Sequence, residues 1–483
     1  MNLKLAPRPN ERLTALERLE VLCDPGSINL IRTDVRSRRM GEKARAGDGV
    51  LGGSGRVDGR PVFCFAQDAS FVGGSLGLAH AETVVSVLRN ADRASVPVIG
   101  FIESGGARMQ EGLAALSGYG RIFREHVRLS GRVPQISVIC GPSAGGGSYA
   151  PALTDFVIMT QEASMFLTGP GVVKQVMGED VDGATLGGPK VHERNGVCHL
   201  VAPTEVDAAL LARDLLDHLP QSSTEPVQRW PAVIAPSYAP DACVPREERK
   251  VYDVREVARA LVDGGRLLEI SPKFARNVVC ALARLDGRSV GIIANQPRYL
   301  GGVLDSDAAQ KAARFVRTCN AFGLPMVVLV DTPGFMPGTK QEANGVIRHG
   351  AKLVHAFAEA EVTTVTVILR KAFGGAFIAM NSKDLGADFV YAWPSAQLGV
   401  MGPKQAVDII HRREIGAHAE PERHRDALAM AYGAEHMHPS AATADGFIDE
   451  VIPPSETRAR IISAFDSMEN TARTRRPAGN IPL

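Results

Sequence analysis

The chain repeats itself once, and that repeat decides what it can fold into. Asp58-Gly59-Arg60 recurs as Asp286-Gly287-Arg288, Gly73-Gly74 as Gly301-Gly302 and Pro97 as Pro325, each pair 228 residues apart. The buried periodicities follow the same spacing. Val84, Val87, Leu88 and Ala91 stand at i, i+3, i+4 and i+7 and predict one apolar helix face; Ala312, Phe315, Val316 and Cys319 predict the same face one period later. Farther on, the separation drifts to 229 for Gly145-Gly146 and Gly374-Gly375, and to 233 for Asp155-Phe156-Val157 and Asp388-Phe389-Val390, which a few inserted residues explain. Each copy reads strand, helix, strand, loop, helix, strand, glycine-rich turn, helix. The runs VPVIGFI and LPMVVLV lack polar alternation, as strands buried on both faces do. The expected class is therefore α/β, two copies of one domain at 1–225 and 250–483, joined by a proline-rich linker over roughly residues 220–250.

Charge and cysteine content narrow the partners. Lys plus Arg (54) balances Asp plus Glu (53), so the chain has no basic excess of the kind that marks a nucleic-acid or anionic-membrane binder. Its seven cysteines are dispersed and form no C-x-x-C pair, which argues against a disulfide framework and against a zinc site. No metal is expected, and a reducing cytoplasmic location is. No apolar run approaches the ~18 residues of a membrane span, so no membrane association is expected.

The stretch GPSAGGGSYAP, residues 141–151, allows two chemistries. Gly141 to Gly145 spells G-x-S-x-G, in which Ser143 would be an exposed nucleophile. Alternatively, Ala144 to Gly147 is nearly bare backbone, suited to presenting N–H groups to a developing oxyanion. The repeat favours the second reading: Ser143 corresponds to Ala372, whereas the glycine pair persists. Both copies place those glycines after an apolar strand, ISVIC or VTVIL, and before small residues that can begin a helix with free N–H groups.

ESGGARMQEG at 103–112 and GPSAGGGSYAPALTDFVIM at 141–159 resemble the N-terminal half of the carboxyltransferase (β) subunit of biotin-dependent acyl-CoA carboxylases. NQPRYLGGVLDSDAAQKAARFVRTCNAFGLPMVVLVDTPGFMPG at 295–338 and RKAFGGAFIAMNSKDLGAD at 370–388 resemble its C-terminal half. The resemblance implies two duplicated crotonase-like domains, assembled as a homohexamer whose active sites lie between different subunits. It implies transfer of CO2 from carboxybiotin to the α-carbon of a short acyl-CoA, with coenzyme A as part of the substrate. Biotin would be carried by a separate biotin carboxylase/biotin carboxyl carrier (α) subunit, because no Met-Lys-Met biotinylation site is present.

By the same resemblance, the N–H groups of Gly145 and Gly146 would stabilise a thioester enolate, and those of Gly375 and Ala376 a biotin enolate. Ala144 would lie in the acyl-CoA site, Gly105, Gly106 and Gly334 would shape the CoA channel, and Arg108 would meet a CoA phosphate. Ile378, two residues after Ala376, would line the acyl pocket; relatives preferring propionyl-CoA tend to have aspartate there, so isoleucine points to acetyl-CoA first and propionyl-CoA second. Gly171 after Thr168-Gly169-Pro170 and Lys340 after PGFMPG depart from the family pattern. Two other readings stay open: the same subunit of a biotin-dependent decarboxylase or transcarboxylase, and a catalytically silent scaffold.

Overall fold

The computed structural model describes residues 12–247, 250–469 and 479–480. These fall into two compact units, one running through Pro226 and one beginning at Val227, with residues 479–480 belonging to the first. The expected linker is therefore displaced. Residues after 226 pack on the second unit: the Trp230 N–H donates to Gly287 O at 2.9 Å, and a Cβ at Gly287 would collide with the Trp230 carbonyl. A segment that reads as proline-rich and polar is held by backbone pairing that its composition does not show.

The first unit builds an eight-stranded sheet from β1 (Asn29–Ile31), β2 (Val50–Val57), β3 (Arg60–Gln67), β4 (Val98–Ser104), β5 (Gln135–Ala144), β6 (Phe156–Thr160), β7 (Ser164–Phe166) and β8 (Leu200–Ala202). The order is β1-β2-β3-β4-β5-β6-β8, with β7 paired to β5. The second unit repeats this with β9 (Leu267–Ile270), β10 (Val278–Leu285), β11 (Arg288–Asn295), β12 (Met326–Thr332), β13 (Thr364–Phe373), β14 (Phe389–Ala392), β15 (Gln397–Gly399) and β16 (Glu450–Val451). Its order is β9-β10-β11-β12-β13-β14-β16, with β15 on β13. In each unit the first three strands are antiparallel and the rest parallel.

Local chemistry explains these elements. Asp58-Gly59 and Asp286-Gly287 all have positive φ (50°, 78°, 54° and 72°), the conformation of a two-residue hairpin turn, and join β2 to β3 and β10 to β11. Every residue of β4 and of β12 is buried, as strands covered on both faces must be. Helices α1 (Ala15–Leu22), α2 (Leu78–Ala94) and α3 (Leu113–Leu129) cover the first sheet, and α2 buries the predicted face Val84, Val87, Leu88 and Ala91. In the second unit the helix Ser306–Ala321 buries Ala312, Phe315, Val316 and Cys319 in the same way. The registers of β4 on β5 and of β12 on β13 shift at matching places, Ile102/Ser104 and Val330/Thr332, so both sheets bend just before their glycine turns.

Candidate active site

Each sheet leads into one glycine-opened helix. After β5, Gly145 takes φ +57° and ψ −121°, a conformation closed to residues with a Cβ, and α4 (Gly146–Ala152) begins at once. After β13, Gly374 takes φ +60° and opens the helix Gly374–Ala379. The first N–H groups of a helix have no intrahelical acceptor, so Gly146 and Gly147 in one unit, and Gly375 and Ala376 in the other, present donors at equivalent positions. Both pairs are related by the 229-residue offset.

Space around the two turns differs. A Cβ on Gly146 would lie 2.6 Å from the Tyr119 ring, and one on Gly147 2.9 Å from Ser143 Oγ. Tyr119 is buried on α3, its hydroxyl 3.3 Å from Ser104 Oγ, and burial raises its pKa. At Gly375 the nearest atom to a Cβ is Phe335 Cδ2 at 4.0 Å, and Gly375 itself is exposed. Ala376 is fully buried, whereas Ile378 is 50% exposed.

Several expected roles change once partners are known. The Gly145 N–H donates to Phe166 O at 3.1 Å, so it is not free to meet an oxyanion; the positive φ is what this residue contributes. Arg108 is fully enclosed, its Nη1 2.6 Å from Asp48 Oδ1 and 2.8 Å from Glu111 Oε1, with Nη2 donating to the carbonyls of Asp48 and Ser75. That placement removes it from contact with a CoA phosphate at the surface. Ser143 is buried in β5, its Oγ without a hydrogen-bond partner among the described residues, so it has neither an activating base nor access.

The remaining sites sit beside the turns. Gly105 donates its N–H to Gly73 O and Gly106 accepts from the Leu76 N–H; a Cβ on Gly106 would approach Ala144 O to 3.4 Å. Gly334, at φ +141°, accepts from the Leu304 N–H in the corresponding place. Sequence reasoning saw the repeated Gly73-Gly74 and Gly301-Gly302 but missed their neighbours. Val72 and Leu300 both stand at φ +50°, a strained conformation for side chains of this size, and both are exposed. Their equal spacing from the glycines was the available signal. Also unforeseen is a cavity of about 720 Å³ beside Phe373, lined by Ser395, Gln397, Lys404 and Met430 among others. Among the described residues no group of three or more His, Cys, Asp or Glu could hold a metal, and no helix is long and apolar enough to cross a membrane.

Comparison with known proteins agrees with this layout. The propionyl-CoA carboxylase carboxyltransferase subunit of Haloferax mediterranei is 46% identical, covering 98% of this chain and 94% of the relative. The methylmalonyl-CoA decarboxylase subunit alpha of Veillonella parvula is 44% identical over 98% of this chain and 93% of its own. A transcarboxylase 12S crystal structure described as a hexamer assembly, with methylmalonyl-coenzyme A and methylmalonic acid bound, superposes with a TM-score of 0.93 at 46% identity, covering 98% of this chain and 92% of that one. The expected pair of crotonase-like domains stands. Residues 6–481 match the carboxyl transferase domain, and the chain belongs to that enzyme family.

Proposed function

We propose that the chain is the carboxyltransferase component of a biotin-dependent acyl-CoA carboxylase, moving CO2 to the α-carbon of acetyl-CoA or propionyl-CoA to give malonyl-CoA or methylmalonyl-CoA. The observation that carries this reading is the pair of matched glycine-opened helix starts, one per unit, in a chain of this family. Carboxybiotin, delivered by a separate biotin carboxylase/biotin carboxyl carrier (α) subunit, supplies the CO2 and a ureido nitrogen to take the α-proton. Gly146 and Gly147 hold the thioester oxygen as it becomes enolate-like, and Gly375 and Ala376 do the same for the ureido oxygen. Fixed N–H donors aimed where negative charge develops are worth roughly 2.7–4 kcal/mol each. With both oxygens held and the proton taken by the ureido group, no side chain need serve as general base. The cavity beside Phe373 is within the roughly 300–1,000 Å³ range of small-molecule sites and adjoins the second turn.

Val72 and the turn Gly105–Gly106 stand in the unit of the first glycine turn, and Gly334 and Ile378 in that of the second, from which Gly334 shapes the CoA channel and Ile378 lines the acyl pocket. The relatives named for propionyl-CoA and methylmalonyl-CoA favour the three-carbon acyl group as much as Ile378 favours the two-carbon one. The assembly is a homohexamer in the cytosol; the free state of all seven cysteines suits that compartment. The decarboxylase or transcarboxylase reading keeps the same site and reverses its use.

The test is loss of CO2 from malonyl-CoA and methylmalonyl-CoA by the purified chain, with and without free biotin as acceptor. Biotin-dependent decarboxylation of either is expected, and the faster substrate gives the acyl preference. A folded oligomer inactive on both, with or without its α subunit, would refute the carboxyltransferase reading.

A further inference from the structure

Two cysteines meet inside the first unit. Cys23 caps the C-terminus of α1 and Cys64 lies in β3, and their Sγ atoms are 3.9 Å apart. Both residues are buried.

The backbone around them is cleared and pinned. A Cβ on Gly55 of β2 would come within 2.6 Å of Cys23 Sγ, so the missing side chain is what seats the sulfur. The Asp24 N–H donates to Arg56 O at 2.7 Å, and the Asp24 carboxylate accepts from the N–H groups of Asp58 and Gly59. Cys23 is thereby held over the hairpin that carries Cys64. A disulfide requires the two sulfurs to close by about 1.9 Å.

Packing alone does not call for sulfur here. In the second unit the helix Val254–Leu261 packs on β10 and β11 as α1 packs on β2 and β3, and it is capped by Val262 where α1 is capped by Cys23. Ile292 stands 228 residues after Cys64, and Ala283 228 after Gly55. Val262, Ala283 and Ile292 belong to one hydrophobic core. The same place in the repeat is thus filled by hydrocarbon in one unit and by two thiols over a glycine in the other.

The two thiols are also unlike. The hydrogen bond with Cys64 holds the Cys23 thiol below its ordinary pKa, against the effect of burial, whereas that bond and then burial push Cys64 well above. Cys23 is therefore the better thiolate, and the exposed residues Pro25 and Gly26 follow it closely in the chain.

We propose that Cys23 and Cys64 are a redox pair that hydrogen peroxide converts to a disulfide, bracing α1 against β3. The Cys23 thiolate attacks one oxygen of the peroxide; an S–O bond forms, the O–O bond breaks, and the departing hydroxide takes up a proton as water. Cys64 sulfur then attacks the sulfenic acid; the S–S bond forms, the S–O bond breaks, and the Cys64 proton leaves with the hydroxide as a second water. Two thiols are oxidised and one peroxide is reduced, and a thiol reductant returns the pair. Cys64 is level with Ile99 and Ile136 near the starts of β4 and β5, whereas the glycine turn follows the far end of β5. The pair is separate from that turn, and the inference stands apart from the carboxyltransferase reading.

The test treats the native full-length chain with hydrogen peroxide, denatures it in N-ethylmaleimide and counts labelled thiols by intact mass. All seven should be labelled before treatment, and all but the pair after it. A peptide joining residues 23 and 64, cleaved by dithiothreitol, should appear, and Tm should rise by about 5 °C. Cys64→Ser should stop at a dimedone-reactive sulfenic acid on Cys23. Cys23→Val with Cys64→Ile, which copies the second unit, should fold, form no crosslink and show no peroxide-dependent rise in Tm. Seven labelled thiols after a day in peroxide would overturn the proposal. So would oxidation confined to Cys243, the least buried of the seven, since exposure alone would then select the thiol. A crosslink that leaves Tm unchanged or lowers it overturns the bracing.

Discussion

Replacing Gly146 by alanine isolates what the first glycine turn requires. The added Cβ would sit 2.6 Å from Cγ and Cδ1 of Tyr119 and 2.8 Å from Cδ2. The ring has little room to retreat, being 5% exposed, with its hydroxyl 3.3 Å from Ser104 Oγ. The start of α4 must therefore lift away. Overpacking of this kind costs about 1–3 kcal/mol, which lowers Tm by about 2–4 °C per kcal/mol in a unit of this size. Displacing the Gly146 and Gly147 donors by about 1 Å should cut turnover about 10²-fold. Gly375→Ala is the matched control: it also keeps its N–H, but its Cβ meets nothing closer than 4.0 Å. Differential scanning fluorimetry and biotin-dependent decarboxylation of methylmalonyl-CoA or malonyl-CoA read both effects. Gly375→Ala should stay within about threefold of wild type, and adding Tyr119→Leu to Gly146→Ala should recover part of both losses. Equal behaviour of the two alanine variants, or no recovery on shrinking the ring, would refute the steric argument.

Arg108→Gln leaves Asp48 and Glu111 buried without their cation and should lower unfolding free energy by about 3–5 kcal/mol in urea titrations; wild-type stability with a raised KM for acyl-CoA would return Arg108 to the phosphate role. Ser143→Ala removes a buried hydroxyl that has no partner among the described residues, so turnover should stay within about twofold and stability should hold or rise slightly; loss of all activity would revive the nucleophile. His80 has its pKa lowered from 6.5 to about 3 by burial and then by the charge of Arg108. The unfolded chain therefore binds the proton more readily, and His80 makes stability fall as pH drops below 6.5, by about 2 kcal/mol at pH 5. The loss of unfolding free energy between pH 6.5 and pH 5, read from urea titrations, should shrink by about 1.6 kcal/mol in His80→Gln; an undiminished acid loss would show that other groups carry it.

What the sequence revealed and what it hid divide along the range of the interactions. Helix faces such as Val84, Val87, Leu88 and Ala91, the Asp-Gly hairpin turns and the apolar strands depend on neighbours a few residues away, and all were legible. The glycine turns were legible because a positive φ leaves glycine in both copies. Three features were not. Arg108 is bound by Asp48, 60 residues away; Gly145 loses its N–H to Phe166 on a neighbouring strand; and the segment after 226 pairs with Gly287. Each depends on a partner that no local pattern announces.

The buried charges extend that lesson to the repeat itself. Glu103 is the penultimate residue of β4 as Asp331 is of β12, 228 residues on, and each carboxylate lies buried against an arginine. The arginines do not correspond. In the first unit Arg18 reaches Glu103 from α1 at 2.7 Å; in the second Arg370 reaches Asp331 from β13 at 3.0 Å, with the Tyr252 hydroxyl also at 3.0 Å. The position of Arg370 is taken in the first unit by Gly141, where a Cβ would collide with the Arg12 guanidinium that also pairs with Glu103. Aligned by residue, Gly141 and Arg370 look like an unrelated pair. Aligned by charge, they are two answers to one demand, since a carboxylate taken out of water needs a cation within reach and does not specify which element supplies it. What duplication preserves near the end of this strand is the buried carboxylate, and its partner is free to move.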